Sequence, residues 1–129
     1  MTHDQIRAIV FDFDGTILDT EVPDYRSWQE VYDDYGGVLD METWLTCVGG
    51  SVDLFDPYAY LESQIGAEVD RNAIRARRKP RYHALVAEQS IRPGIEALMA
   101  EANESGLPFG VASSSNRTWV VRNLTAREI

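Results

Sequence analysis

The sequence predicts an α/β fold in which a long helical segment is inserted between two short strands. Two apolar runs predict the strands. One carries Ile6, Ala8, Ile9, Val10 and Phe11; the other reads Leu107-Pro108-Phe109-Gly110-Val111-Ala112. Both are too short for a helix, and the first is rich in β-branched residues. Between them the apolar residues recur at helical spacing. Both strands deliver polar residues at their carboxyl ends, which is where open α/β sheets bind ligands.

The first strand ends in Asp12-Phe13-Asp14-Gly15. Alternate residues of an extended chain point the same way, so both carboxyl groups can face one site. Two acids that close repel each other unless a cation lies between them or one keeps its proton. Mg2+ takes oxygen ligands of this kind. Gly15 allows a sharp turn and a close approach of backbone to ligand. A strand closing in a solvated Asp-Gly turn accounts for these four residues equally well.

A chain of 129 residues with 44% apolar and 10% aromatic content suits one globular domain with a modest core. The formal charge of −9 argues against nucleic acid or a membrane surface as partner. It also repels phosphorylated substrates, so a site for them needs a local cation. The single Cys47 excludes an internal disulfide, reads as a small buried hydrophobe and suits the cytoplasm. No apolar run approaches the ~18 residues of a membrane span, and residues 1–10 lack a signal-peptide pattern.

Residues 19–90 read as helices. Pro23 suits a first turn, and Val22, Tyr25, Trp28, Val31, Tyr32 and Tyr35 follow at helical spacing, a stripe that reads as core. Gly36-Gly37 stops this helix. Asp40 is placed to cap a short helix through Trp44 and Leu45 that Gly49-Gly50 closes. Asp56-Pro57 reads as a cap and first-turn proline for a helix carrying Tyr58, Leu61 and Ile65, with Gly66 as its stop. Asp70 caps another, carrying Ile74. That helix enters the basic cluster Arg71, Arg75, Arg77, Arg78, Lys79 and Arg81, most of which reads as a solvated face. One or two of these residues are candidates to bind a phosphate or carboxylate. Pro80 should bend the path or end one helix and start the next.

From Ile91 the chain returns to the α/β part. Pro93-Gly94 opens a helix with Ile95, Leu98, Met99 and Ala102 on one face, ending at Ser105-Gly106. The second strand ends in Ser113-Ser114-Ser115-Asn116, before a helix carrying Trp119, Val120, Val121 and Leu124. Hydroxyls and free N–H groups at such a junction suit an anion, and also suit an ordinary serine-rich cap.

The ten residues Asp12-Phe13-Asp14-Gly15-Thr16-Ile17-Leu18-Asp19-Thr20-Glu21 resemble the first motif of the haloacid dehalogenase superfamily, in its phosphatase and phosphomutase branch. The resemblance implies a parallel-stranded, Rossmann-like core from residues 1–18 and 91–129, with 19–90 as an inserted helical cap domain. Hinges are then expected near Leu18 to Glu21 and Ser90 to Gly94. It implies Asp12 as the nucleophile that forms an aspartyl-phosphate and Asp14 as general acid, then base. Mg2+ would be held by the Asp12 side chain and the Asp14 carbonyl. The apolar strand ending in Ser113 resembles the second motif. This implies phosphate binding by Gly15, Thr16, Ser113 and Ser114, with Glu21, Arg78 and Asn116 as substrate contacts.

The nearest resemblance is to the β-phosphoglucomutase-like group. Aligning on the motif puts Asp24 where its mutases carry a histidine, and Gly49-Gly50-Ser51-Val52-Asp53 lacks their arginine. These departures favour a Mg2+-dependent phosphatase acting on a small phosphorylated metabolite, a sugar phosphate, over a sugar phosphomutase. The motifs carrying a lysine and further acids do not follow Asn123. The chain therefore reads as the amino-terminal part of a larger enzyme, and a fragment that only folds or self-associates through uncovered sheet surface is the rival reading.

Overall fold

The computed structural model describes residues 5–46 and 55–129. Cys47 and the loop Gly49 to Asp53, both singled out above, lie outside them. The chain divides into two compact units, Met1–Glu21 with Ala87–Ile129, and Val22–Val86.

In the first unit, strand β1 (Ile9–Phe11) pairs in parallel with β2 (Phe109–Val111). Ile9 lies opposite Phe109, Val10 opposite Gly110 and Phe11 opposite Val111. Helix α5 (Ile95–Glu104) precedes β2 and α6 (Arg117–Thr125) follows it. This is the parallel-strand, helix-connected arrangement of a partial Rossmann-like α/β core. Phe13, Ile17 and Leu18 are fully buried, and Phe11, Met99, Ala102 and Val120 are buried with them. The rings of Phe11 and Phe109 meet edge to face at 5.8 Å.

Both strands are shorter than the apolar runs that announce them, and they are not buried throughout. Ile6 is 73% exposed and Val10 68%. Val10 alternates away from Ile9 and Phe11, and its partner Gly110 has no side chain with which to cover it. Beyond β1 the chain folds back tightly: Leu18 bridges Asp14, and it also bridges Ile91 in antiparallel sense. The Arg92 N–H donates to the Ile17 carbonyl at 2.8 Å, so the two segments leading out of and back into this unit lie side by side.

The second unit is helical: α1 (Glu21–Tyr35), α2 (Met41–Leu45), α3 (Pro57–Ile65) and α4 (Arg71–Ala87). The Asp caps expected from sequence form. Asp40 accepts from Thr43 N–H at 2.7 Å, and Asp56 from Tyr58 N–H at 2.9 Å. Asp70 accepts from Ala73 N–H at 3.0 Å. Tyr25, Trp28, Val31 and Tyr32 of α1 join Leu39, Trp44, Leu61 and Ile74 in one core. Val22 and Tyr35, at the ends of the stripe, are exposed. Pro80 does not divide α4, which runs through it for 17 residues. Among the described residues no helix is long and apolar enough to cross a membrane.

Candidate active site

The carboxyl end of β1 carries the two acids. Asp12 is exposed, Phe13 fully buried and Asp14 half-buried, the alternation of an extended chain. Asp12 Oδ1 accepts from the Phe13 N–H at 2.9 Å. The chain then turns: the Phe13 carbonyl accepts from the N–H groups of Thr16 at 3.2 Å and Ile17 at 3.0 Å. Gly15 sits at φ +76°, in the left-handed region where a side chain is strained, and its N–H donates to the Leu18 carbonyl at 2.7 Å. The amides of Gly15 and Thr16, two expected phosphate contacts, are thus occupied within the turn; the Thr16 side chain is exposed.

Asp14 is the best-held side chain of the group. Thr20 Oγ1 donates to its Oδ1 at 2.9 Å. Its Oδ2 accepts from Ser115 Oγ and, at 3.4 Å, from Ser113 Oγ. The Ser115 N–H in turn donates to Ser113 Oγ at 3.0 Å. Parallel pairing of β1 with β2 produces this meeting, because it puts the carboxyl ends of both strands on one side of the sheet. The structure therefore joins Asp14 to Ser113 and Ser115, with Asp12 two residues before Asp14 at the end of β1 and Ser114 exposed between the two serines. Thr20 and Ser115 were assigned no role from sequence. Thr20 had a signal in its position inside the ten-residue motif. Ser115 had one in its two-residue offset from Ser113.

The remaining candidates have structural duties. Asn116 caps α6, accepting from the Thr118 N–H at 2.8 Å. Glu21 opens α1, and its N–H donates to Asp19 Oδ1 at 3.1 Å. In the helical unit Arg78 is engaged: its Nη1 donates to Asp24 Oδ1 at 2.5 Å and to Ser27 Oγ at 2.9 Å. Its guanidinium also lies over the Trp28 ring, 4.6 Å from the centroid. The Nε atom is buried with no hydrogen-bond partner. Burial pushes the Asp24 carboxyl above its ordinary range, and the nearby Arg78 charge pulls the other way without cancelling it.

Much of the rest of the basic cluster is paired. Arg71 reaches Asp56 at 3.1 Å and Glu62 at 2.8 Å, Arg81 grips Glu30 at 2.9 Å, and Arg77 pairs with Asp34. The single lysine, Lys79, lies in α4.

The donor chemistry around Asp12 fits Mg2+. A carboxylate and a main-chain carbonyl are hard oxygen donors, and this ion commonly takes one or two carboxylates and completes its shell with water and phosphate. Among the described residues no group of three or more His, Cys, Asp or Glu could hold a metal.

Comparison with known proteins agrees with this arrangement. The family model described as haloacid dehalogenase-like hydrolase matches residues 9–129. YhcW of Bacillus subtilis (strain 168), which carries a provisional phosphatase designation, is 39% identical over 119 residues, covering 92% of this chain and 54% of YhcW. The protein CbbY of Cereibacter sphaeroides is 34% identical over 120 residues, 86% of this chain and 51% of CbbY. A crystal structure from Thermotoga maritima, provisionally assigned as a β-phosphoglucomutase, superposes with a TM-score of 0.75 at 16% identity; it covers 95% of this chain and 56% of that one. The chain spans about half the length of these relatives. With the acid-bearing strand end, the parallel pair and the family model in agreement, the chain belongs to the haloacid dehalogenase-like hydrolases.

Proposed function

We propose that the site belongs to a Mg2+-dependent phosphatase acting on a small phosphorylated metabolite, a sugar phosphate, through an aspartyl-phosphate. One observation carries the reading. An exposed carboxylate, Asp12, lies two residues from a carboxyl, Asp14, that is held on both oxygens by hydroxyl groups. The first is exposed to an incoming phosphoryl group, and the second is held for proton transfer. The phosphatase designation of YhcW supports the same chemistry.

In the first step an Asp12 carboxylate oxygen bonds to phosphorus as the ester P–O bond breaks. The electron pair leaves with the alcohol oxygen, which receives the proton of Asp14. In the second step Asp14, now a carboxylate, takes a proton from water as the water oxygen bonds to phosphorus. The Asp12–phosphorus bond breaks, and phosphate and the free carboxylate result. Ser113 and Ser114 would bind the oxygens of the transferring group. Bound Mg2+, held by the Asp12 side chain and the Asp14 carbonyl, would supply charge neutralisation for those oxygens. Residues 19–90 act in this reading as a cap that excludes water and selects the substrate. Asp24, at the position where the mutases of the resembled group carry a histidine, favours a phosphatase over a mutase.

A second reading, in which groups outside this chain complete the site, is favoured by the lack of a third metal-capable side chain near Asp12 and Asp14 among the described residues.

The test is Mg2+-dependent phosphate release from a panel of sugar phosphates, with Asp12→Asn as control. Release that the substitution abolishes supports the phosphatase. No release, with weak Mg2+ binding, favours the second reading, and release that survives Asp12→Asn removes the proposed nucleophile.

A further inference from the structure

We infer that Ser115 is a positioning residue for Asp14, holding the proton-transferring carboxyl with its hydroxyl and ordering Ser113 with its amide; the inference rests on the phosphatase reading. Ser115 Oγ donates to Asp14 Oδ2, while Thr20 Oγ1 donates to the opposite oxygen at 2.9 Å. With a partner on each oxygen, the carboxyl cannot turn about its own axis without losing one. The same Ser115 gives its N–H to Ser113 Oγ at 3.0 Å, so one residue sets both the acid and the neighbouring hydroxyl.

The chemistry of the partner matters. A carboxyl that first gives and then takes a proton needs neighbours that tolerate both states. A hydroxyl does, because it donates to the carboxylate and rotates to accept from the acid. A lysine or arginine offers donors alone and would favour only the ionised form. The ordinary explanation of a serine here is helix capping, and it does not apply: the cap of α6 is Asn116, whose side chain accepts from the Thr118 N–H at 2.8 Å. Ser115 is half-buried with its hydroxyl turned to Asp14, whereas Ser114, between the two bonded serines, is exposed.

Positioning of the acid predicts a leaving-group effect. An alkyl phosphate departs as a strongly basic alkoxide and needs the proton of Asp14. A 4-nitrophenyl phosphate departs as a stabilised phenolate and needs it far less. The parameter kcat/KM reports steps up to formation of the aspartyl-phosphate, so it isolates this proton transfer.

The experiment measures kcat/KM for the sugar phosphate that is turned over best and for 4-nitrophenyl phosphate, in the unsubstituted chain, Ser115→Ala and Ser115→Thr. Circular dichroism serves as the fold check. Ser115→Ala is expected to lower the sugar phosphate value at least about tenfold more than the 4-nitrophenyl value. Ser115→Thr, which keeps the hydroxyl, restores the ratio. Equal losses on both substrates overturn the positioning role and leave the phosphatase reading intact, as does a ratio that Ser115→Thr fails to restore in a folded protein. Absence of turnover by the unsubstituted chain on either substrate overturns the reading and the role together.

Discussion

Asp24 of α1 and Arg78 of α4 meet at 2.5 Å across 54 positions of sequence, and the arginine is more enclosed than the acid, with 21% of its side chain exposed against 34%. Burial and the arginine act on Asp24 in opposite directions, and burial prevails. The native state therefore holds the Asp24 proton more tightly than the unfolded chain does. Above an ordinary carboxylate pKa of about 4, the native protein retains a proton that the unfolded one has lost, so stability declines as pH rises through the native ionisation. Asp24→Asn removes this titration. Urea midpoints of both proteins between pH 4 and 7 should show the unsubstituted chain losing ground to the variant as pH rises. A constant difference contradicts the account. Arg78→Ala leaves Asp24 desolvated without its cation and should cost about 2 kcal/mol at neutral pH.

Gly37 marks a close approach. A Cβ there would lie 2.8 Å from Gln64 Oε1 and 3.0 Å from Leu61 Cδ1. Gln64 cannot retreat freely, because its amide bonds both backbone groups of Val38, at 2.8 Å to the N–H and 2.7 Å to the carbonyl. Gly37→Ala should destabilise by about 1–3 kcal/mol through overpacking. Gly36→Ala in parallel reports a different effect, since Gly36 has open space around its Cα but φ +76°. Thermal melts that show Gly37→Ala unaffected would refute the contact.

Tyr32 is fully buried, and its hydroxyl donates to the Pro57 carbonyl at 2.5 Å, tying α1 to the start of α3. Burial holds its phenol well above the usual tyrosine range, so it stays neutral in ordinary buffers. Tyr32→Phe keeps the ring and leaves the carbonyl without this donor, at a cost of about 1–2 kcal/mol by denaturant titration.

Thr20 is 3% exposed and donates to Asp14 Oδ1. Thr20→Val preserves shape and removes the hydroxyl. Under the proposed mechanism, turnover should fall at least about tenfold from loss of acid orientation, whereas stability should drop by about 1 kcal/mol. Steady-state assays and melts on the same preparation separate the two effects.

How much of this was legible depended on the range of the interaction. The caps Asp40, Asp56 and Asp70 were readable because each bonds an amide two or three residues away. Asp12 and Asp14 were readable because their spacing and the glycine beside them are local. The partners of Asp14 were harder: Ser115 reaches it across 101 positions, and only the parallel pairing of the strands brings them together. Val10 misled because exposure depends on what lies opposite, and Gly110 covers nothing. Of the two outcomes expected at Pro80, a bend or a break, the break does not occur, because a proline costs a helix one hydrogen bond without forcing it to stop. The tertiary contacts of α4 outweigh that loss: Ile74, Leu85 and Val86 are buried along it and Arg78 is bonded to Asp24.

The antiparallel bridge between Leu18 and Ile91, fastened by the Arg92 N–H on the Ile17 carbonyl, has a consequence for protein engineering. Antiparallel neighbours sit only about 5 Å apart, a gap that a turn of two to four residues spans. The stretch between them is therefore a detachable excursion whose two ends share one address. Replacing it with an Asn-Gly turn would convert the crossing into a hairpin while shortening the loop that must close. Each halving of such a loop saves only about 0.6 kcal/mol of closure entropy, so swapping in inserts of other lengths should be tolerated almost as readily as removing this one.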